Sequence, residues 1–209
     1  MPGHPEPEQR ARPERVRCGA GAACRAGTPV ADTGGMQIPP LPNPVRPDPV
    51  RPDPVRDRWV GPMRLALAEA ALAPATGDVP VGAVVLGPDG TVIGRGHNER
   101  EAVGDPTAHA EVLAIRQAAQ AIGEWRLAGC TLVVTLEPCT MCAGAVVLSR
   151  LDRVVFGAVD EKAGAAGSLW DVIRDRRLNH RPEVVREVLA DDCGAALTAF
   201  FGGHRSGHG

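Results

Sequence analysis

The distribution of apolar and polar residues divides the chain near residue 58. Residues 1–58 contain few large apolar side chains and hold 13 of the 20 prolines, many in short runs such as the VRPDP repeat from Val45. Proline removes a backbone donor and blocks helix formation, and a segment with so few apolar groups cannot offset the entropy cost of becoming ordered. We therefore predict a disordered Pro/Arg-rich extension at residues 1–58, followed by one folded domain at residues 59–209.

Helical and strand-like patterns alternate along residues 59–209. An Ala- and Leu-rich amphipathic helix comes first, and two apolar strands then flank Pro88-Asp89-Gly90, which is a hairpin turn signal. The predicted helices are 59–73, 106–122, 139–150 and 191–201, the later strands are 130–136, 153–158 and 183–188, and the loops are a polar one at 98–105 and a glycine-rich one at 157–167. Strands that alternate with helices predict an α/β fold with helices packed on a layered sheet.

The overall composition is that of an ordinary globular protein, with 44% hydrophobic and 23% charged residues and a formal net charge of −2. No window approaches the roughly 18 uninterrupted apolar residues of a membrane helix, and the first residues lack the apolar core of a signal peptide. We therefore expect no membrane segment and a cytoplasmic location. Six cysteines are too few for a disulfide scaffold, so their positions matter more than their number.

Four residues in two short segments carry the candidate chemistry. His109 and Glu111 lie at the start of one predicted helix, and Cys139 and Cys142 lie at a predicted strand-to-helix junction. The cysteine spacing places both sulfurs on one helix face, and a helix N-terminus favours the thiolate form that binds metals. Two thiolates and one imidazole form a Zn²⁺ ligand set with one open position for a water whose pKa falls toward ~7. Glu111 is placed to carry protons to and from that water.

A single C-x-x-C pair is weak evidence, because half of a structural zinc site or a redox pair has the same spacing. The sequence contains no second C-x-x-C, which argues against a zinc ribbon, and a redox pair leaves the upstream His-x-Glu unexplained. The joint pattern, H-x-E followed by P-C-x-x-C, is the signature of zinc-dependent nucleobase deaminases.

On these and several longer segments, the chain resembles the cytidine/deoxycytidylate deaminase superfamily and, within it, the bacterial tRNA adenosine deaminases. The matching segments are VPVGAVV from Val79, GHN at 96–98, DPTAHAE from Asp105, TLEPCTMCAGA from Thr135, SRLDRVVFGAVDEKAGAAGS from Ser149 and LNHRPEV from Leu178. The resemblance implies a three-layer α/β/α fold with a central mixed five-stranded sheet. It also implies a homodimer with one Zn²⁺ per subunit that deaminates the wobble adenosine of a tRNA(Arg) to inosine.

The resemblance also assigns roles to individual residues. It implies that the zinc ligands are His109, Cys139 and Cys142 and that Glu111 is the proton shuttle for hydrolytic attack on C6 of adenine. Asn98 matches the family residue that hydrogen-bonds the target base, and Val79 and His97 are expected close by.

The charge distribution indicates where an anticodon stem-loop would contact the protein. Residues 59–149 carry a net charge of −4 from five arginines and nine acidic residues, whereas residues 150–186 carry +2 from eight basic and six acidic residues. We expect phosphate contacts in the second segment, where the candidates are Lys162, Arg174, Arg176, Arg177 and Arg181.

Two other functions stay open on the sequence alone. A deaminase of a free base or nucleotide, such as guanine or deoxycytidylate, would use the same four residues, although the AGAAGS segment at 163–168 favours the tRNA enzyme. A catalytically silent zinc scaffold has no need of Glu111, so the presence of this residue argues against that role.

Overall fold

The computed structural model describes residues 53–205, in which a five-stranded sheet with the order β2-β1-β3-β4-β5 lies between helices. The strands are β1 (Gly82–Leu86), β2 (Val92–His97), β3 (Thr131–Leu136), β4 (Arg153–Ala158) and β5 (Glu183–Val185). The helices are α1 (Pro54–Asp57), α2 (Val60–Ala70), α3 (Arg100–Val103), α4 (Ala110–Ile122), α5 (Thr140–Leu148) and α6 (Ala190–Arg205), with a 3₁₀ turn at Ala73–Thr76.

The sheet is mixed, as the resemblance implies. β1 pairs antiparallel with both β2 and β3, whereas β3 with β4 and β4 with β5 pair in parallel. The predicted hairpin joins β1 to β2, and Gly90 in its turn has the positive φ (83°) that glycine tolerates. α5 supplies the crossover connection that the parallel pair β3 and β4 needs.

Successive residues of the central strands face opposite sides of the sheet and so build two buried cores. Val84 belongs to one core together with Met63 of α2, while its neighbour Val85 belongs to the other core together with Ala114 of α4. α6 contributes to the first core and α5 to the second. The three-layer α/β/α arrangement is therefore confirmed, with α4 and α5 on the same face of the sheet.

Two glycines of β2 allow α4 to lie close to the sheet. A Cβ atom at Gly94 would lie 2.2 Å from the carbonyl oxygen of Ala114, and one at Gly96 would lie 2.5 Å from the carbonyl oxygen of Ala110. Any larger residue would push the helix away from the strand. Because Ala110 is the first residue of α4, this contact sets the height of the helix N-terminus above the sheet.

The predicted polar loop at 98–105 contains the short helix α3, which is a correction to the sequence prediction. The cause is a contact from a distant segment, since the carboxylate of Asp78 accepts hydrogen bonds from the backbone N–H groups of Glu101 (2.9 Å) and Ala102 (3.1 Å). These are unpaired donors at the start of the helix, and a carboxylate there stabilises it.

Other element boundaries also differ from the predictions. The helix predicted at 59–73 ends at Ala70, and the chain continues as a 3₁₀ turn that contains Pro74, which cannot extend an α-helix. The strand predicted at 183–188 ends at Val185 because Glu187 and Leu189 have positive φ angles (62° and 50°). The last helix runs over Ala190–Arg205 and is longer than predicted.

The folded part of the chain begins before residue 59. Asp53 caps α1 by accepting a hydrogen bond from the backbone N–H of Val55 (3.0 Å), and Arg56 pairs with Glu187 at 3.5 Å. The last six residues of the predicted disordered extension are thus part of the described structure, and its other residues lie outside the described range. Among residues 53–205, none of the helices has the length and apolar character needed to cross a membrane.

Candidate metal centre and active site

The three predicted metal ligands meet in space, although His109 and Cys139 are 30 residues apart in sequence. His109 Nδ1 lies 3.5 Å from Cys142 Sγ and 3.8 Å from Cys139 Sγ. His109 is the N-cap of α4 and Cys139 is the N-cap of α5, so the packing of these helices on one face of the sheet brings the side chains together. Their ligand atoms all lie within 4.8 Å of one another, as the donors to one metal ion must.

The chemistry of these donors fits zinc. A hydrogen bond from Cys142 lowers the pKa of Cys139 to about 3, against the opposing effect of burial and with further help from His109. The same hydrogen bond, together with burial, raises the pKa of Cys142, and the bond to Cys139 raises the pKa of His109. The cluster therefore stabilises a thiolate at Cys139 and holds protons on its neighbours that a divalent cation would displace. Two sulfurs and one imidazole leave a fourth position for water or substrate.

Glu111 lies in the first turn of α4 and is only 3% exposed. Within the described residues it is not one of the three clustered metal donors. Burial raises the pKa of its carboxyl group to about 7, although hydrogen bonding to the backbone and the nearby His109 act in the other direction. A carboxyl group with this pKa can accept and release a proton near neutral pH, as a general acid–base group must.

Asn98 follows β2 and is buried against the start of α4. Its Oδ1 accepts a hydrogen bond from the backbone N–H of Ala110 at 3.1 Å, which pairs one of the free donors at the helix N-terminus. Its Nδ2 has no hydrogen-bond partner among the described residues and is available to a ligand. Asn98 thus holds the helix that carries Glu111 and also lines the cavity described next.

A cavity of about 210 Å³ lies beside the metal donors. Its volume is below the ~300–1,000 Å³ common for sites that hold a whole drug-sized ligand, so it suits a single base. It is lined by Val79, Val81, Asn98, Arg100, His109, Glu111, Leu136, Glu137, Cys139, Asp160 and Ala163. A groove of about 490 Å³ shares Val79, Leu136 and Asp160 with the cavity, and its other walls are Val159, Glu161, Lys162, Leu197 and Phe201.

His97, which was predicted to lie beside the substrate, is not among the residues that line the cavity. Its imidazole lies between the carboxylates of Glu69 (Nδ1 to Oε2, 3.8 Å) and Glu99 (Nε2 to Oε1, 3.6 Å). Consecutive residues along a strand point to opposite sides, so His97 at the end of β2 cannot face the same way as Asn98.

Lys162 and Arg177, two of the five candidate phosphate contacts, are in different surroundings. Lys162 lines the groove beside the cavity. Arg177 is 89% exposed and forms an ion pair with Asp175 at 2.5 Å, and this arginine lines neither the cavity nor the groove. Its charge is therefore largely offset within its own loop.

Arg100, Glu137 and Asp160 also line the cavity, although no sequence motif predicts a role for them. Arg100 comes from α3, which the local sequence does not predict. Glu137 lies inside the TLEPC segment next to the metal ligands, and that position was the only signal for it. Asp160 lies at the start of the long loop between β4 and β5, and the course of this loop brings it to the cavity.

Sequence comparisons place this geometry among known proteins. The family model described as the cytidine and deoxycytidylate deaminase zinc-binding region matches residues 60–158. The chain is similar to the tRNA-specific adenosine deaminase of Bacillus subtilis strain 168, with 52% identity over 139 residues, which are 66% of this chain and 86% of that protein. It is also similar to the tRNA-specific adenosine deaminase of Haemophilus influenzae, with 50% identity over 139 residues, which are 66% and 80% of the two chains.

Two solved structures share this fold. A tRNA:A34 deaminase, studied for A-to-I editing at the wobble position of transfer RNA, has a TM-score of 0.62 and 42% identity over 65% of this chain and 97% of its own. The guanine deaminase of Nitrosomonas europaea has a TM-score of 0.58 and 25% identity over 68% of this chain and 83% of its own. One fold therefore serves deaminases with different substrates, and the higher identity is to the tRNA deaminase.

Proposed function

Since the chain belongs to the tRNA-specific adenosine deaminase family, we propose that it hydrolyses the wobble adenosine of a tRNA(Arg) to inosine and ammonia. The observation that carries this proposal is one cavity in which the His109, Cys139 and Cys142 cluster meets the buried carboxyl group of Glu111. A tRNA substrate also implies that the enzyme works in the cytoplasm.

The reaction needs an activated water and a group that moves protons. Zinc held by His109, Cys139 and Cys142 would act as a Lewis acid and lower the pKa of a water at the open position. Glu111 accepts a proton from the attacking water and gives it to N1 of adenine. The water oxygen remains on C6, the bond between C6 and the amino nitrogen breaks, and the second proton, also passed by Glu111, leaves with ammonia. One buried carboxyl group therefore serves as both base and acid.

Asn98 and Val79 are the residues we assign to holding the base. The free Nδ2 of Asn98 can donate to a ring nitrogen, while its Oδ1 stays bonded to Ala110. Val79 lies between the cavity and the groove and offers an apolar surface to the face of the base. An unstacked base in an anticodon loop can enter such a site without disruption of a helix.

The groove supports an RNA substrate over a free base. It extends the cavity toward Lys162 and Phe201, which provide a cation for a phosphate and a ring for stacking beyond the base that reacts. A free base would fill the cavity and leave this groove without a role. A deaminase of free guanine or deoxycytidylate is nevertheless the second candidate, because guanine deaminase shares the fold and the cavity is the size of one base.

The direct test is a comparison of substrates. We expect the zinc-loaded protein to form inosine at position 34 of an unmodified tRNA(Arg) anticodon stem-loop. It should release little ammonia from free guanine, cytidine or deoxycytidylate under the same conditions. Turnover of a free base or nucleotide, with none of the stem-loop, would favour the second candidate.

We further propose that the enzyme is a homodimer. The exposed side of α5 and the nearby loop present large apolar side chains, with Met141 36%, Leu148 70% and Trp170 59% exposed. Gly144 on the same helix leaves space for a second chain to approach, whereas Ala143 is buried in the subunit's own core. Light scattering should give the mass of two chains at micromolar concentration, and the mass of one chain would contradict the proposal.

A further inference from the structure

We propose that Glu137 is a positioning residue whose carboxylate holds the loop of residues 160–168 (the 160–168 loop) in its substrate-binding position. This inference rests on the proposed function, because the loop lines both the cavity and the groove assigned to the RNA. Glu137 is 2% exposed and directly follows β3. It is not one of the clustered metal donors of the described structure.

The carboxylate of Glu137 accepts three hydrogen bonds from backbone donors of the 160–168 loop. Its Oε1 accepts hydrogen bonds from the N–H groups of Ala166 (2.9 Å) and Ser168 (3.1 Å), and its Oε2 accepts one from the N–H of Asp160 (3.2 Å). All three donors lie more than 20 residues further along the chain. One buried side chain therefore binds both ends of the loop.

The same loop is also attached to the segment that carries the metal ligands. The N–H of Ala165 donates to the carbonyl oxygen of Pro138 at 2.8 Å, and Gly164 forms a β-bridge with Cys139. A Cβ atom at Gly164 would lie 2.6 Å from Cδ of Glu137, so the absence of a side chain there lets the loop close over the carboxylate. Glu137, Pro138 and Cys139 thus contact the loop in succession.

The held loop supplies the substrate side of the site. Asp160 and Ala163 line the cavity, and Lys162 lines the groove. Asp160 is both a direct partner of Glu137 and a wall of the cavity. Glu137 therefore acts on the substrate through the position of these three residues. Its own carboxylate is hydrogen-bonded to the loop backbone.

A carboxylate is required because the three groups that bond to it are all donors. A glutamine of the same shape has one oxygen and one NH₂ group. If its oxygen kept the bonds to Ala166 and Ser168, its NH₂ group would face the N–H of Asp160, and two donors cannot pair. The loop would then be released at the end that carries Asp160, while the bond between Ala165 and Pro138 would remain.

The test combines kinetics with amide hydrogen exchange on the full-length, zinc-loaded Glu137→Gln protein. We expect the KM for the anticodon stem-loop to rise about tenfold, with a smaller change in kcat, because a hydrogen bond to a charged acceptor contributes about tenfold or more to an equilibrium. The amides of residues 160–168 should exchange faster, the amides of β1 should be unchanged, and the zinc content should stay the same. The matched control is Glu124→Gln, the same chemical change at an exposed position after α4, which should alter none of these readouts.

A second variant keeps the test decisive if Glu137→Gln does not fold. Gly164→Ala leaves the carboxylate in place but puts a methyl group 2.3 Å from Ser168 Oγ and 2.5 Å from the carbonyl oxygen of Asp160, so it also displaces the loop. It should give the same rise in KM and faster exchange of the loop. Normal KM values in the variants that fold, despite inosine formation by the wild type, would overturn this inference alone. Absence of inosine formation by the wild type would instead overturn the proposed function, and the exchange data would still report on the loop.

Discussion

The proposed catalytic residues (the catalytic floor: His109, Glu111, Cys139 and Cys142) and the loop residues proposed to contact RNA (the basic rim: Lys162 and Arg177) are held in different ways. The floor residues sit at the first positions of two helices that pack on one face of the sheet, and Glu111 and Cys142 are buried. The rim residues lie on loops, where exposed charges form local pairs such as Arg177 with Asp175. The floor is thus specified by short motifs, while the rim depends on how distant loops are placed.

The largest expected effect is the loss of a metal ligand from the floor. Cys139→Ala and Cys142→Ala should each reduce the zinc content from about one per chain to near zero and abolish deamination, since three protein ligands are the minimum for a catalytic zinc site. Metal analysis of the purified proteins measures this. Cys130→Ala is the control, because this buried thiol lies in the core outside the cluster and should keep its zinc. Full zinc in both ligand variants would contradict the assignment.

The two rim residues should differ from each other in their effect on RNA binding. Lys162→Ala should weaken stem-loop binding several-fold and reduce the slope of log Kd against log salt by about 0.7, the value for one phosphate contact with a single strand. Arg177→Ala should change the affinity by less than about twofold, because Asp175 already offsets its charge and exposed pairs contribute little. A salt titration of RNA binding by both variants tests this. A larger loss of affinity in Arg177→Ala than in Lys162→Ala would place the RNA on the loop that contains Arg177.

The buried carboxylate of Asp78, which binds the start of α3, should contribute to stability. Burial acts to raise the pKa of Asp78, but hydrogen bonds from the backbone of Glu101, from Thr76 and from the backbone of Ala102 lower it overall. Asp78→Ala should therefore cost about 1–3 kcal/mol of unfolding free energy at pH 7, since it removes the cap of α3.

The pH dependence of this contribution follows from the lowered pKa of Asp78. A carboxylate with a depressed pKa stabilises the fold above its unfolded pKa of about 3.9 and loses that effect as the pH falls through the folded value. The difference in unfolding free energy between the wild type and Asp78→Ala, measured by urea unfolding, should consequently become smaller in acid. Equal stabilities at pH 7 would show that α3 does not depend on Asp78.

The smallest effect is expected from the N-terminal extension. A chain that begins at Asp53 should keep full activity, because the residues before it are rich in proline and poor in core-forming side chains. A chain that begins at Trp59 should lose at most ~1 kcal/mol of stability, because it lacks the exposed pair between Arg56 and Glu187. Inosine formation by the two shortened chains checks this, and a large loss in the first would reveal a role for the extension.

The sequence predicts that the floor residues come together because each of them belongs to a short motif at a helix start. His109, Cys139 and Cys142 need only their spacing and the packing of two helices to meet. The surroundings of the two rim residues could not be predicted in this way. Lys162 lines the groove because its loop is held by Glu137, a residue more than 20 positions earlier in the chain. No local sequence pattern encodes the three hydrogen bonds between the loop backbone and this carboxylate.

The position of His97 outside the cavity has an equally simple cause. The GHN segment matches the family as a unit, but adjacent residues at the end of a strand face opposite sides. Asn98 enters the cavity, and His97 lies between Glu69 and Glu99 on the other side. A family match therefore locates a segment at the site without showing which of its side chains reaches the substrate.

The most direct test of the account is inosine formation by Glu111→Gln, with zinc and stem-loop binding measured on the same sample. The amide keeps the shape of the side chain but cannot accept the proton of the water. We predict about one zinc per chain, an unchanged stem-loop Kd and a fall in turnover of about 10²-fold or more, the usual contribution of a positioned acid–base group. Near-normal turnover with zinc in place would contradict the proton-transfer role of Glu111. It would also contradict the assignment of proton transfer to a residue other than the three metal ligands.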